Sequence, residues 1–392
     1  MQSASSTFAA APPEPVSSAE VGRRFRERFG GIPRLFQAPG RINIIGEHTD
    51  YSGGLVMPAA IDRRCRIAAA RNGTRTLNAV AGVFESEASA DLDALAPTRG
   101  WLDYVSGVAS VLIGAGAAVP GADLWIESDV PIGAGVSSSA ALEVGVAHAL
   151  LALAGHTADG AQIARWAQTA ENDFVGMPCG IMDQFASANG VAGAAMLLDC
   201  ATLRAEPVRL PEQASFLLVD SRVRHAHVDG EYRARREDCE TAARLLGVAM
   251  LSEVGEADLA EALTRLPPGP AMRCRHVVSE NGRVRRAAEA LGRGDLAMLG
   301  ALMNQSHASL RDDMQVSTAE VDRLAAIAQQ TPGVFGARMM GGGFGGSVIA
   351  LVDAHRAGQA SEAIRGAYGG VIGERPDAFV CRAVEGAGEI AI

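Results

Sequence analysis

The chain has 392 residues, a net charge of −10 and 48% hydrophobic residues, with only 5% aromatic. That length allows two ordinary domains, no run approaches the ~18 apolar residues of a membrane span, and the acidic balance argues against general nucleic-acid binding. All 35 basic residues are arginine, which excludes a P-loop, a protein-kinase site and a pyridoxal enzyme, since each needs a lysine.

Phosphate binding here must rely on backbone amides, a helix dipole, arginine or a metal ion. The six cysteines (Cys65, Cys179, Cys200, Cys239, Cys274, Cys381) lack a CxxC pair. They read as reduced residues of a cytoplasmic protein, without a zinc site. Residues 1–17, rich in Ala, Ser and Pro, have neither a basic start nor a sustained apolar stretch, so they read as a loose tail rather than a secretory signal.

The first polar cluster is Gly40–Tyr51, GRINIIGEHTDY. Ile42, Ile44 and Ile45 suggest a half-buried strand with Arg41 and Asn43 on its other face. Gly46 ends it, and Glu47, His48, Thr49, Asp50 and Tyr51 follow with no apolar period. Carboxylates, an imidazole, a hydroxyl and a phenol at a strand end suit a small hydroxyl-rich ligand, because carboxylates accept strong charge-assisted bonds from hydroxyls. An ordinary surface turn is the competing reading.

Asp123–Val130 has strand character, and Pro131–Val136 (PIGAGV) ends it. Ser137, Ser138 and Ser139 then open a helix predicted to run to about Ala154. Strand, glycine loop and helix N-terminus together make an anion site, and a serine hydroxyl there suits magnesium bridging phosphates. Ala161–Val175 has helical spacing and carries Glu171 and Asn172. Pro178 and Gly180 break it, and Asp183 falls just after the break, where a helix cap is the plain alternative. Near the C-terminus, Gly341, Gly342, Gly343, Gly345 and Gly346 surround Phe344 before a strand-like run from Ser347. So many glycines point to close backbone approach to a ligand or to another part of the site.

Together these segments resemble the GHMP family of small-metabolite kinases, and within it the branch that phosphorylates galactose. The resemblance runs from about Phe25 to Val384. Its motifs are APGRINIIGEHTDYSGG, PIGAGVSSSAALEV and ARMMGGGFGGSVIAL, linked by AENDFVGMPCGIMDQF, VRHAHVDGEYRARREDC (Val223–Cys239) and SHASLRDDMQVS. It implies an α+β fold of two domains, a ribosomal-S5-like domain over residues 18–207 and a ferredoxin-like domain over 208–392. The implied reaction is ATP-dependent phosphorylation of D-galactose at its anomeric hydroxyl, giving galactose 1-phosphate and ADP in the Leloir pathway of galactose metabolism.

By the same resemblance, Gly133, Ala134, Gly135, Val136, Ser137, Ser138 and Ser139 would cradle ATP, and Ser139 and Glu171 would hold Mg2+. Asp183 would take or orient the proton of the attacking hydroxyl, and Arg41 would stabilise charge on the transferring phosphoryl group. Glu47, His48, Thr49, Asp50, Gly180, Asp183 and Tyr232 would bind the sugar. Trp101 would line the adenine pocket or serve as a core tryptophan. Met340 stands where many relatives carry threonine. The implied partners are galactose and ATP, with no nucleic acid or membrane, and the implied state is a cytoplasmic monomer. The rival readings are a sibling kinase acting on N-acetylgalactosamine, mevalonate or homoserine, a non-enzymatic sugar and ATP sensor, and a structural reuse of the fold. The sensors typically carry a short deletion after the serines, and Ser137–Ala141 is complete here.

Overall fold

A computed structural model describes residues 15–224 and 228–390. Most of the expected tail, and His225–His227 of the Val223–Cys239 motif, lie outside the described residues. Ser17 caps the helix Ser18–Phe29, its hydroxyl accepting the Glu20 N–H at 3.2 Å.

A six-stranded sheet has the spatial order Gly388–Ile390, Arg34–Asn43, Pro58–Arg71, Ala122–Ser128, Thr76–Ala81, Ser86–Asp91. All pairs are antiparallel except Ala122–Ser128 with Thr76–Ala81. Its side chains alternate between two covers, as a strand's period of two dictates. Phe36 and Ile67 face the main core with the helices Asp103–Gly114 and Ser138–Ala154, while Leu35 and Ala68 pack under Val21 and Phe25 of Ser18–Phe29. The first strand is therefore covered on both faces, not half-buried as its pattern predicted.

A four-stranded antiparallel sheet has the order Val334–Met340, Ser347–Asp353, Ala214–Asp220, Ala378–Cys381. Phe216, Leu218, Met340, Ile349 and Leu351 join the same main core as the first sheet. Leu217, Val219, Ala337, Met339, Val348 and Ala350 pack instead with residues of the helices Val228–Leu246, Ala319–Gln330 and Ala357–Ile372. The two halves thus share a core. A smaller sheet is made of Leu55–Val56, Ala194–Asp199 and Arg204–Arg209.

The change of sheet falls between Arg209 and Ala214, just past the expected boundary at Pro207, which the strand Arg204–Arg209 spans. The last strand returns to the first sheet, Leu35 pairing with Ile390. Asp123–Val130 becomes the strand Ala122–Ser128, and the serine-led helix runs Ser138–Ala154. The helix expected over Ala161–Val175 is α-helical only over Gly160–Thr169. It ends in a wide π-turn, Ala170–Val175, a feature common at functional sites.

Candidate active site

Gly40 sits where the first strand bulges against the glycine loop. A Cβ there would lie 2.7 Å from the Val136 carbonyl oxygen, so only glycine permits the approach. The next residue, Arg41, is buried and forms a two-pronged bond with Asp183, Nε to Oδ1 and Nη2 to Oδ2, each at 3.0 Å. Its Nη1 donates to the Gly135 carbonyl. Asp183 lies in the first turn of the helix Met182–Asn189, and the Ser137 hydroxyl donates to its Oδ2.

That last bond revises the serine reading. Ser137 is the N-cap residue but adopts a left-handed backbone, φ 62°, and makes no side-chain cap. Its hydroxyl serves Asp183, and among the described residues the first amides of the helix Ser138–Ala154 have no side-chain acceptor, at the positive end of the helix dipole. The C-terminal glycine loop packs on this one. A Cβ at Gly341 would lie 3.1 Å from the Gly135 Cα, and the Ser347 hydroxyl donates to the Ala134 carbonyl at 2.7 Å. Gly341 therefore permits backbone-on-backbone contact between the two loops, while Gly343 and Gly345 make room for the Val316 and Val223 carbonyls. Met340 is buried and its sulfur receives the Asn43 N–H at 3.3 Å.

Two cavities flank the junction. The smaller, 210 Å³, is lined by Arg41, Glu47, His48, Asp50, Asp183 and Tyr232, with Glu171 and Gly180 beside them. The larger, 640 Å³, is apolar and aromatic, with Phe84, Trp101, Tyr104, Leu142 and Phe379 among its walls, and it reaches Ser138 and Ser139. Trp101 thus lines a cavity, while its indole N–H donates to Ser86 at 3.1 Å.

The polar run after Gly46 divides its work. Asp50 and Glu47 present carboxylates to the small cavity. Burial, then repulsion from Asp183, pushes Asp50 up to about 7. A Cβ on Gly180 would fall 1.9 Å from an Asp50 oxygen, so glycine at 180 makes room for that carboxylate. Burial, then the neighbouring His276, lowers His48 to about 3, so its ring is neutral. Its Nε2 faces the Gly342 carbonyl at 3.1 Å and must carry the proton, and Nδ1 accepts the Tyr51 hydroxyl at 2.9 Å. His48 therefore gives the cavity a ring wall, with its nitrogens already used. Tyr232 stands against it, ring centres 5.4 Å apart. Thr49 does not line the cavity; its hydroxyl lies 2.9 Å from both the Gly46 and Leu55 carbonyls and closes the turn.

The π-turn carries Glu171 into the buried space below Ser139. The Ser139 hydroxyl bonds Glu171, and Gln184 Nε2 reaches both Glu171 Oε2 at 2.5 Å and Glu143 Oε2 at 3.3 Å. Burial raises Glu171, and burial with the nearby Glu171 raises Glu143 well above the ordinary carboxylate range. Glu143 Oε1 is buried with no hydrogen-bond partner. Glu143, Gln184 and the loop-side Arg224, whose Nε would lie 3.2 Å from a Cβ on Gly133, were given no role from the sequence. Glu143 and Gln184 stood inside motifs, beside residues that were singled out. Arg338 gave one signal, a charge in the apolar strand ahead of the third glycine loop.

A strand-end polar turn, an arginine–aspartate pair and two interlocked glycine loops at a helix N-terminus define a small-molecule kinase of the GHMP class. Family models agree: the galactokinase galactose-binding signature matches residues 23–71, the GHMP kinase N-terminal domain 103–191, and the GHMP kinase C-terminal domain 287–370. A galactokinase of Chloroflexus aurantiacus is 45% identical over 370 residues, covering 92% of this chain and 95% of that protein. One of Roseiflexus sp. is 41% identical, covering 96% and 98%. A Lactococcus lactis galactokinase solved in complex with galactose superposes with a TM-score of 0.92 at 32% identity, covering 95% of this chain and 99% of that one. The mevalonate kinase of Methanococcus jannaschii, at 18% identity and TM-score 0.65 over 91% and 99% of the two chains, shares the fold. The chain belongs to the galactokinase family, and the expected two-domain α+β GHMP kinase fold is the one observed.

Proposed function

We propose that this protein transfers the γ-phosphoryl group of ATP to the anomeric hydroxyl of D-galactose, releasing galactose 1-phosphate and ADP. The observation that carries the reading is the Arg41–Asp183 pair, which lies on the wall of the small polar cavity and is tied to the glycine loop through Gly135 and Ser137. The hexose occupies the 210 Å³ cavity, with Glu47 and Asp50 accepting its hydroxyls and His48, Gly180 and Tyr232 shaping the walls. The adenosine end of ATP takes the 640 Å³ cavity, and its phosphates lie on the amides of Gly133–Ser139.

Asp183 accepts the anomeric hydroxyl proton as that oxygen attacks phosphorus. Its carboxylate is held in plane by the two guanidinium bonds and by Ser137. Arg41 keeps further N–H groups for the transferring phosphoryl oxygens, a task that falls to arginine in a chain without lysine. Ser139 and Glu171 would hold Mg2+. Hard oxygen donors, a buried carboxylate with no basic neighbour in contact among the described residues, and the Glu143 oxygen unpartnered among them all fit a small divalent cation. Among the described residues there is no cluster of three or more metal-binding side chains, which accords with an ion bound partly through phosphates. When bound, the ion would supply charge neutralisation on the phosphate oxygens.

A coupled assay of ADP formation with D-galactose, N-acetylgalactosamine, L-arabinose and glucose tests the reading. Turnover with galactose is the expected result. Turnover with none removes the kinase reading, and turnover with the acetylated sugar alone moves it to the sibling activity.

The raised Asp50 gives a pH signature. Asp50 becomes the hydroxyl-accepting carboxylate as pH rises through about 7. The kcat/KM for galactose, which reports ionisations of the free enzyme, therefore climbs between about pH 6 and 8 and levels above. The inflection is absent in Asp50→Asn; its persistence there assigns it to another group.

A further inference from the structure

Arg338 heads the largest fully buried side chains among the described residues, with 0% exposure, in a strand whose neighbours Ala337, Met339 and Met340 are apolar. A charge is tolerated in such a place only when it is paired and fully hydrogen-bonded. Every prong of the guanidinium is engaged: Nε to the Ile44 carbonyl at 2.9 Å, Nη1 to the Met339 carbonyl at 2.7 Å, and Nη2 to the Asn43 carbonyl at 2.5 Å and to Glu47 Oε2 at 2.8 Å. Asn43 Nδ2 reaches the same Glu47 oxygen at 3.2 Å. Among the described residues the hydrogen bonds of this carboxylate fall on Oε2, which leaves Oε1 as the oxygen for a hydroxyl in the cavity that Glu47 lines.

The backbone of the same turn is held from the same side of the molecule. His276 Nε2 bonds the Glu47 carbonyl at 2.9 Å, and Glu280 Oε1 accepts the Gly46 N–H at 3.0 Å. The peptide at Glu47 is thus fixed independently of Arg338. Arg338 also holds the Asn43 and Ile44 carbonyls ahead of the turn, and what it alone adds at Glu47 is the orientation of the side chain.

We propose that Arg338 is a positioning residue for the sugar, locking the Glu47 carboxylate so that Oε1 accepts a hexose hydroxyl. This rests on reading the 210 Å³ cavity as the sugar site. Only a planar fork can reach three carbonyls and a carboxylate at once, so lysine would not substitute. The strand that carries Arg338 runs directly into the glycine loop packed on Gly135, so one strand supports both the sugar side and the nucleotide side of the site.

The test is steady-state kinetics of wild type, Arg338→Met, Glu47→Gln and the double variant, with galactose and ATP varied separately and each unfolding midpoint measured. A wild type inert toward galactose overturns the functional reading and this proposal with it; failure confined to the variants overturns the proposal alone. The expected result for Arg338→Met is a rise of about 10- to 100-fold in KM for galactose, the scale of one charge-assisted hydrogen bond, with KM for ATP held within about twofold. The double variant is expected to match Glu47→Gln in galactose KM, because the arginine acts through that carboxylate. An unchanged galactose KM, equal rises in both KM values, or additive effects in the double variant overturn the proposal. Should Arg338→Met fail to fold because Glu47 is left as a buried unpaired charge, the double variant removes that charge. If it too fails while Glu47→Gln folds, Arg338 holds the fold rather than the carboxylate, and the proposal is overturned.

Discussion

Replacing Asp183 with asparagine is expected to lower kcat about 10²- to 10⁴-fold, the usual worth of a positioned acid–base group, with both KM values changed only a few-fold. Asparagine keeps the size and one carbonyl acceptor, so the cavity wall and its neighbours stay in place. It loses the basic oxygen proposed to take the proton, and its amide turns N–H toward a guanidinium that also donates. The bidentate pairing with Arg41, now at 3.0 Å on both arms, becomes a single bond. The Ser137 hydroxyl, which donates to Oδ2, must turn. Steady-state turnover beside a thermal unfolding curve separates the chemical loss from any loss of fold. Turnover within about tenfold of wild type would remove the proton-accepting role and leave Asp183 as a group that orients the hydroxyl.

The parts of this site that the sequence exposed were those encoded locally. A glycine loop ahead of three serines marks a helix start within a few residues, and the break at Pro178–Gly180 places Asp183 at the next one. The apolar run from Ser347 marks a strand in the same way, and the strand Ser347–Asp353 formed. What stayed hidden was set by partners far along the chain. Arg338 and Glu47 are 291 positions apart, and nothing near either of them announces the other. The return of Gly388–Ile390 to the first sheet is equally nonlocal. Ser137 shows a different limit. Its residue type fits a cap, but an acidic acceptor 46 positions away outcompetes the backbone amide for its hydroxyl. His48 and Thr49 show the same competition, their polar atoms being used by Gly342, Tyr51, Gly46 and Leu55. Residue type announces a polar turn; which atoms remain free for a ligand is decided by tertiary neighbours.

Arg41 carries the second large effect. Arg41→Met is expected to reduce kcat about 10³-fold, within the range found when an arginine that stabilises a transferring phosphoryl group is removed. Two losses combine in that figure. The positive charge proposed to stand beside the migrating group disappears, and no lysine exists anywhere in the chain to take its place. Asp183 also loses the fork that holds its carboxylate in plane. Arg41→Lys separates the two. It restores a charge but cannot span Asp183 and the Gly135 carbonyl together, so it should recover only part of the lost rate. Because Arg41 and Asp183 act as one unit, the double variant Arg41→Met with Asp183→Asn should be little slower than the slower single variant. Unfolding midpoints serve as the control, since Arg41 also ties the first strand to the glycine loop. Full additivity of the two substitutions would mean that each acts without the other, and the paired arrangement seen here would then have no part in catalysis.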